Sequence, residues 1–397
     1  MKVFFVSFFS IFFLLVKNLY PVATCSGEIC KTIPENYLQQ IQELDLQFKI
    51  QYLDLLLRSM GEASAMANTG SGRVGLGSLN KFQVGVGGTA SFLTNKPVNL
   101  AYKETTLSRL PNVGFSINPG FNLGVNLGWL LTKGGGQDIY LKDWEEDDDE
   151  SKENEEENVL PTYFHRFNLY VHGMSLNSSV SDFTFIQPKK FGVEGDLSIS
   201  QYGLDLRYML FTPYLQQGFF RFMGMSVGVG YHRLKNDLQL IVTKANNNQF
   251  KVGPYIGAWV GNSNLDYEMT VVSIPVDLRV GFEFFKFFTL FGGGGFVKSD
   301  IDGSVLLARG GPLKLSLDPN FTSVANALTP AQFQTLQEVV KQEGYLDIRI
   351  TSQQKFSFSN GYGLVGFEIS LGPIQFVAEG IFFANSGSGN IAIKANF

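Results

Sequence analysis

The chain has 397 residues and a formal net charge of −5, and 44% of its residues are hydrophobic. Only 17% are charged, against about 25% in soluble domains. Beyond the N-terminus there is no run of about 18 apolar residues, which excludes a helical membrane protein. The charge balance excludes a nucleic-acid-binding protein, because the excess acid is concentrated in residues 143–157 and no stretch is strongly basic.

The N-terminus has the pattern of a signal peptide. Lys2 is followed by an apolar run from Val3 to Val16, which is too short for a comfortable membrane span. We therefore predict a signal peptide over residues 1–24. Cys25 and Cys30 are the only cysteines, and export would allow a short-loop disulfide between them. The alternative is that Cys25 carries a lipid.

Residues 25–79 predict a helix followed by a flexible linker. Residues 31–60 carry two apolar stripes at helical spacing, so the helix needs partners on more than one side. Residues 61–79 are small and predict a linker. Their G-x-G-x-x-G spacing is not a dinucleotide site, because such a site needs a strand before it and a helix after it. The segment is predicted to be either a plug in a lumen or a periplasmic helix that pairs with a partner.

Residues 267–298 carry the clearest structural signal. The even positions from Val272 to Phe284 are all apolar, whereas the odd positions include Asp277, Arg279 and Glu283. This period-2 alternation indicates a strand with one apolar face. Its length exceeds the roughly 9–11 residues that a tilted strand needs to cross a bilayer. A second run returns after Phe285-Lys286, so the stretch predicts a transmembrane β-hairpin.

The same alternation recurs from residue 80 to the C-terminus. It predicts an all-β fold, a closed antiparallel transmembrane β-barrel of about 12 strands (about 10–14) over residues 80–397, with an N-terminal helical segment. The strands are predicted near residues 80–94, 111–118, 120–132, 162–174, 180–190, 196–211, 218–234, 267–285, 287–299, 354–371, 374–383 and 390–397.

The gaps between these strands predict the orientation of the barrel. Gaps after odd-numbered strands are mostly long and gaps after even-numbered strands are short, as in outer-membrane barrels with long extracellular loops. Extracellular loops are therefore predicted at 133–161, 235–266 and 300–353, and both termini are predicted in the periplasm of a multi-pass outer-membrane protein. Pro330–Gln342 predicts a short helix in the third loop, and Pro275 predicts a β-bulge.

The chain ends in Ile391-Ala392-Ile393-Lys394-Ala395-Asn396-Phe397. This ending resembles the C-terminal insertion signal of Gram-negative outer-membrane β-barrels. The resemblance implies that Ile391, Ile393 and Phe397 are read by the barrel-assembly machinery. The Gly- and Phe-rich strands, the helical lead-in and the acidic segment also resemble spirochaetal and leptospiral surface barrels and adhesins. A fainter resemblance is to fatty-acid-transporter-type barrels, whose hatch motif is not recognisable here. The partners implied are outer-membrane lipid, the assembly machinery and extracellular ligands bound by the loops.

The polar positions of the alternating strands are predicted to face the lumen. An Arg or Lys on the lipid face near the midplane would cost about 2–4 kcal/mol. The lumen-facing residues are predicted to be Arg166, His172, Asp205, Arg207, Asp277, Arg279, Glu283, Glu368, Glu379 and Lys394. Both signs of charge predict a lumen that is cross-braced by ion pairs or lined with water. The alternative is a selectivity constriction around Asp277, Arg279 and Glu283.

No catalytic, cofactor or metal site is predicted, and we expect no enzyme. His165, His172 and His232 lie in no catalytic motif. The acids at 145–157 lack the interleaved glycines of a calcium loop. The first functional hypothesis is a channel or passive transporter for small solutes, gated or filled by its N-terminal segment. The alternative is a surface-exposed interaction protein or adhesin that acts through its extracellular loops.

Overall fold

The structure is a computed structural model. It describes residues 23–32, 39, 43, 46–71, 75–77, 81–102, 105–131, 162–182, 192–211, 219–242, 248–252, 255–318 and 329–397. The predicted signal peptide lies outside the described residues except for Ala23 and Thr24, and the acidic segment 143–157 lies outside them entirely. Among the described residues, no helix is both long enough and apolar enough to cross a membrane.

Thirteen strands of the described chain form one antiparallel sheet. They are β1 (Ala23–Ser26), β2 (Phe82–Tyr102), β3 (Thr105–Asn126), β4 (Phe167–Ser179), β5 (Val193–Phe211), β6 (Phe220–Val242), β7 (Asn248–Val252), β8 (Tyr255–Trp259), β9 (Asn262–Phe284), β10 (Phe288–Leu317), β11 (Gly344–Leu371), β12 (Ile374–Phe383) and β13 (Ser386–Asn396). Ten of them, β2 to β6 and β9 to β13, close into a ring, because β13 pairs with β2. The predicted closed antiparallel barrel with an N-terminal helix is confirmed.

The connections between strands define two ends of the barrel. At the end that we call the turn end, Phe285–Phe287 join β9 to β10 and Gly372–Pro373 join β11 to β12. Phe285 and Lys286 have φ angles of 55° and 64°, the positive values of a tight hairpin turn. The predicted hairpin at 267–298 is therefore confirmed. At the opposite end, the loop end, longer connections join β6 to β9 and β10 to β11.

Two of the predicted strands, 111–118 and 120–132, are a single strand. β3 runs through Asn118-Pro119-Gly120 without a turn, and Pro119 pairs with Gly88 of β2. Among the described residues, β3 pairs with β4 only from Phe121 to Asn126. Pro119 thus lies where β3 has a partner on one side only, and such a half-paired strand tolerates a residue without an N–H.

This merger places the two strand ends that flank the acidic segment at the turn end of the barrel. β3 ends at Asn126 and β4 begins at Phe167, and both residues lie at the turn end beside the start of β2. The gap count predicted this connection on the same side as 235–266 and 300–353. Residues 133–161 lie outside the described residues, but the strand ends that flank them lie on the opposite side from that prediction, because one strand too many was counted before them. The first α-helix, α1 (Asp54–Gly70), lies inside the lumen. The second, α2 (Leu127–Leu131), follows the end of β3.

The predicted loops 235–266 and 300–353 are largely strand. β6 continues to Val242, β9 begins at Asn262, β10 reaches Leu317 and β11 begins at Gly344. The predicted short helix is present as α3 (Pro330–Val340). These loop predictions failed because the strands continue beyond the length that a bilayer requires, about 9–11 residues. Of the predicted strand 180–190, Val180–Asp182 form a 3-10 turn and residues 183–191 lie outside the described residues.

Beyond the barrel rim a five-stranded sheet continues, in the order β7-β8-β10-β11-β1, which we call the loop-end sheet. β8 replaces β9 as the neighbour of β10, with Trp259 opposite Leu313. β1 pairs with Tyr345–Ile348 of β11. A separate hydrophobic core joins this sheet to α3 and to the 3-10 turn Glu28–Thr32.

The N-terminal segment runs down the inside of the barrel. Residues 46–48 are α-helical, Lys49–Leu53 form a π-helical turn and α1 follows. Residues 25–79 were predicted to be either a plug in the lumen or a periplasmic helix. The described residues 46–71 and 75–77 lie in the lumen. The prediction of a flexible linker from residue 61 is wrong, because small residues let the helix continue between the walls. A Cβ on Gly61, for example, would lie 2.8 Å from Cγ2 of Ile301.

The two ends of the described chain lie at opposite ends of the barrel. Ala23 pairs with Ile348 at the loop end. At the turn end, Phe397 N donates to Phe82 O at 2.9 Å and Phe82 N donates to Phe397 O at 3.4 Å. The prediction that both termini share one side is wrong for the described residues, because the N-terminal segment passes through the lumen before β2 begins.

The outer wall of the barrel is apolar. Exposed side chains include Ile274, Val276 and Leu278 of β9, at 48%, 43% and 43% exposure. A group of exposed phenylalanines at the turn end resembles the aromatic girdle at a membrane interface; it comprises Phe219, Phe220, Phe285, Phe287 and Phe397.

The expected bulge at Pro275 is not present. The register of β9 with β10 is continuous through Pro275, which pairs with Val297. The irregularity lies instead in β6, between Phe222 and Met225. It coincides with Gly224, whose φ of 98° favours glycine.

Candidate functional site

The lumen has an apolar layer towards the loop end and a polar layer towards the turn end. In the apolar layer, Leu57 and Met66 of α1 pack among inward-facing wall residues such as Met269, Val271 and Ile301. Both faces of β9 are apolar around Val271 and Val272. The inward-facing charged residues of β9 therefore lie only in its part towards the turn end. Towards the loop end, apolar inward-facing residues pack against the helix.

Polar contacts fix the helix at several heights. Tyr52 donates its hydroxyl to Pro111 O at 3.2 Å, and Ser59 Oγ donates to Asn112 Oδ1 at 2.6 Å. Near the end of the helix, Asn68 Nδ2 donates to Ser273 Oγ at 3.0 Å and to His232 O at 3.2 Å. The helix thus has a defined position along the lumen.

Below the helix, the chain crosses a buried network of charged side chains. Arg279 contacts Asp277 at 3.1 Å and Glu379 at 2.6 Å, and Arg207 contacts Asp277 at 2.8 Å. All four side chains are at most 4% exposed. Arg207 also donates to Ser226 Oγ at 2.8 Å.

The N-terminal segment is hydrogen-bonded into this network by its backbone. Gly75 N donates to Glu379 Oε2 at 3.2 Å and Leu76 N donates to Glu368 Oε1 at 2.6 Å. The carbonyl of Gly75 accepts from Arg279 Nη1, and that of Leu76 accepts from Ser226 Oγ. The charged network therefore holds the segment in place at this level of the lumen.

Two glycines allow this close approach. Gly75 and Gly77 have φ angles of 96° and 80°, which disfavour other residues. A Cβ on Gly75 would lie 2.1 Å from Glu368 Oε1, and one on Gly77 would lie 2.6 Å from Cδ of Arg207. The glycine pattern at residues 70–77 thus reflects passage past charged side chains, which the sequence alone did not reveal.

Eight of the ten predicted lumen-facing residues are buried inside the barrel. They are His172, Asp205, Arg207, Asp277, Arg279, Glu368, Glu379 and Lys394. Glu283 is half-buried near the turn end, 3.9 Å from Arg221. Arg166 is exposed in the 3-10 turn Thr162–Arg166, so its placement in the lumen was wrong, because β4 begins one residue later. Among the described residues, ion pairs cross the lumen around Asp277 and Arg279. The water-lined lumen and the selectivity constriction stay predictions.

A second polar cluster lies higher in the wall. His172, Asp205 and His232 come from the adjacent strands β4, β5 and β6, and all three are buried. His232 Nε2 lies 2.9 Å from Asp205 Oδ1, and His172 Nδ1 lies 3.5 Å from Asp205 Oδ2. Sequence spacing missed this cluster because its members are brought together only by the strand register.

The predicted insertion-signal residues face outward. Ile391, Ile393 and Phe397 are 70%, 47% and 53% exposed. Phe397 stacks on Phe82 with ring centroids 4.5 Å apart. The last strand therefore presents an apolar face to the surroundings while it completes the ring.

At the loop end, a disulfide joins Cys25 to Cys30, with Cα atoms 5.5 Å apart. The guanidinium of Arg309 lies 4.4 Å above the ring of Trp259, within the range of a cation–π contact. The polar face of α3 is exposed at Gln334, Gln337 and Glu338. This end therefore presents an ordered surface that projects from the barrel.

A family model described as Lsa36-like matches residues 18–397 of the chain. No curated protein matches it. Among solved structures, it is similar to the translocator domain of the autotransporter NalP from Neisseria meningitidis, at 9% identity and a TM-score of 0.29, over 80% of this chain and 88% of that one. It is also similar to Ail, the attachment invasion locus protein of Yersinia pestis, at 7% identity and a TM-score of 0.23, over 80% and 98% of the two chains. A FadL homologue from Pseudomonas aeruginosa matches at 8% identity and a TM-score of 0.23, over 80% and 89%.

Proposed function

Since the chain belongs to the Lsa36-like family and is an outer-membrane β-barrel, we propose that it is a surface-exposed interaction protein whose barrel serves as a filled anchor. In this proposal the loop end faces outward and the turn end faces the periplasm. The protein binds extracellular ligands without catalysing a reaction.

The observation that carries the proposal is the path of the N-terminal segment. Its described residues 46–71 and 75–77 run along the lumen, and Gly75 and Leu76 are hydrogen-bonded to Glu379 and Glu368 of the wall. A lumen closed in this way does not offer a path to solutes. Outside the ring, at the loop end, the loop-end sheet and α3 share a hydrophobic core.

An adhesion assay tests the proposal. The full chain is displayed on a non-adherent Gram-negative host, and the attachment of the cells to a cultured mammalian monolayer is measured. We expect attachment above that of the parent host. Replacing the exposed Gln334, Gln337 and Glu338 of α3 by alanine should lower it several-fold. Arg166→Ala, an exposed change at the turn end, is the matched control and should have no effect. Attachment no higher than that of the parent host would contradict the proposal, as would equal loss in both variants.

The channel hypothesis requires the N-terminal segment to leave the lumen. That movement would break the contacts of Gly75 and Leu76 and would leave Arg279 and Glu379 without part of their partners. Planar-bilayer conductance distinguishes the two functions. We expect no steady conductance from the refolded full chain and clear conductance from a chain that lacks residues 25–79. Steady conductance from the full chain would favour a channel.

A further inference from the structure

We infer that His172, Asp205 and His232 form a binding site for a divalent transition metal ion of the zinc class, within the barrel wall. The three side chains lie on adjacent strands and face the same side. His172 pairs with Gly203, and Gly203 pairs with His232. Their ligand atoms all lie within 4.8 Å of one another.

The contacts of His232 indicate that a positive centre, a proton or a metal ion, lies between His232 and Asp205. Its Nδ1 lies 2.7 Å from the carbonyl oxygen of Asn68. A carbonyl can only accept, so Nδ1 carries the proton of the neutral ring. The lone pair of Nε2 then faces the Asp205 carboxylate at 2.9 and 3.0 Å. Two acceptors at that distance repel unless a second proton or a metal ion lies between them.

A metal ion satisfies more of the cluster than a proton does. A proton on Nε2 joins His232 to Asp205 only, whereas an ion at the centre joins both imidazoles and the carboxylate. Two ligands at about 2.1 Å from a tetrahedral ion lie about 3.4 Å apart. The distance from Asp205 Oδ1 to His232 Nε2 is 2.9 Å, and that from Asp205 Oδ2 to His172 Nδ1 is 3.5 Å. One is shorter than about 3.4 Å and the other slightly longer, so small shifts would bring the ligand atoms to metal-binding spacing.

The wall around the cluster is shaped for two imidazoles. Their rings meet edge to face with centroids 4.6 Å apart. Gly203 lies between them, and a Cβ there would lie 2.4 Å from His172 Nε2 and 2.8 Å from His232 Cδ2. Any other residue at position 203 would therefore displace one of the two rings.

The donor set identifies the class of ion. Two imidazole nitrogens and one carboxylate suit Zn²⁺ and its neighbours, whereas Ca²⁺ and Mg²⁺ prefer oxygen ligands only. The hydrogen bond from His232 to the Asn68 carbonyl is the kind of second contact that orients a metal-binding histidine. A cavity of about 20 Å³ beside His172, lined also by Asn118, Asn122 and Gln201, has room for one water next to that imidazole.

Metal binding would also fix the N-terminal segment. Asn68 is in the last turn of α1, so the ion would connect three wall strands to the helix through His232. Binding of the ion would therefore stabilise the position of α1 in the lumen.

The test measures zinc binding by the refolded full chain. Isothermal titration with Zn²⁺ and metal analysis after dialysis should both give one ion per chain. His172→Gln and His232→Gln should each weaken binding by more than about 100-fold, because even loss of an outer contact costs about 10–100-fold. His165→Gln removes the one histidine outside the cluster and should leave binding unchanged.

Two results would overturn the inference. One is a correctly folded wild-type chain that binds no stoichiometric zinc, as expected if His232 and Asp205 are a simple ion pair. The other is equal zinc binding by all three variants. If the variants fail to fold, Co²⁺ added to the wild-type chain decides the matter: a tetrahedral absorption band supports the site, and an octahedral aqueous spectrum contradicts it.

Discussion

At the scale of single residues, Arg279 is the centre of the charged network. It contacts Asp277, Glu379 and the carbonyl of Gly75, and it is 1% exposed. A buried pair contributes little net stability, but removal of one partner leaves an uncompensated charge. Arg279 therefore neutralises the two buried carboxylates and donates a hydrogen bond to the N-terminal segment inside the barrel.

We expect Arg279→Ala to lower the free energy of unfolding by about 3–5 kcal/mol, since Asp277 and Glu379 would stay buried. Urea titration of the refolded barrel measures this. Arg349→Ala is the control, because Arg349 pairs with Asp347 at 3.0 Å but its side chain is 69% exposed. That change should cost at most about 1 kcal/mol. Similar losses in both variants would show that the network is not a buried unit.

We expect Gly75→Ala to destabilise the protein by about 1–3 kcal/mol, because alanine is strained at its φ of 96° and meets Glu368. Gly363→Ala serves as the control, since a Cβ there meets nothing within 4 Å. Thermal unfolding followed by circular dichroism compares the two variants. A neutral result at Gly75 would mean that the segment can move away from the acids at little cost.

At the scale of elements, the fit of α1 to the wall depends on close backbone approach. A Cβ on Gly114 of β3 would lie 2.0 Å from Ser59 O of the helix. The hairpin β9–β10 could be predicted, because its alternation is local to the sequence. The position of the helix could not, because it depends on which inward-facing residues of distant strands are small or apolar.

Gly114→Val should therefore displace the helix without unfolding the ring. We expect single-channel openings in planar bilayers, with unchanged β-sheet content by circular dichroism. Gly389→Val is a matched change in β13, at a position where an added Cβ meets nothing within 4 Å. This variant should show no single-channel openings. Silent records from both variants would indicate that the helix can shift within the lumen and still block it.

At the scale of the whole molecule, alternation predicted the barrel but not the end at which each connection lies. The error came from Asn118-Pro119-Gly120, which has the composition of a turn but lies in β3. One additional strand reversed the side on which the strand ends flanking the acidic segment were predicted to lie. The cluster of His172, Asp205 and His232 was equally hidden, since it depends on the register of three strands.

Labelling of intact cells tests the orientation. Because Cys25 and Cys30 pair with each other, an introduced cysteine is the only free thiol. A membrane-impermeant maleimide should label Asn385→Cys, at the loop end, on intact cells. It should label Arg166→Cys, at the turn end, only after the outer membrane is permeabilised. The reverse pattern would place the loop-end sheet in the periplasm.

The opposite placement of the two ends of the chain has a consequence for biogenesis. The ring is completed between β13 and β2, and the described residues 46–71 and 75–77 run along its inside. A finished ring offers the segment no sideways entry between β13 and β2. Entry after closure would therefore require the N-terminal end to thread through the whole lumen from the turn end, whereas entry before closure requires no threading.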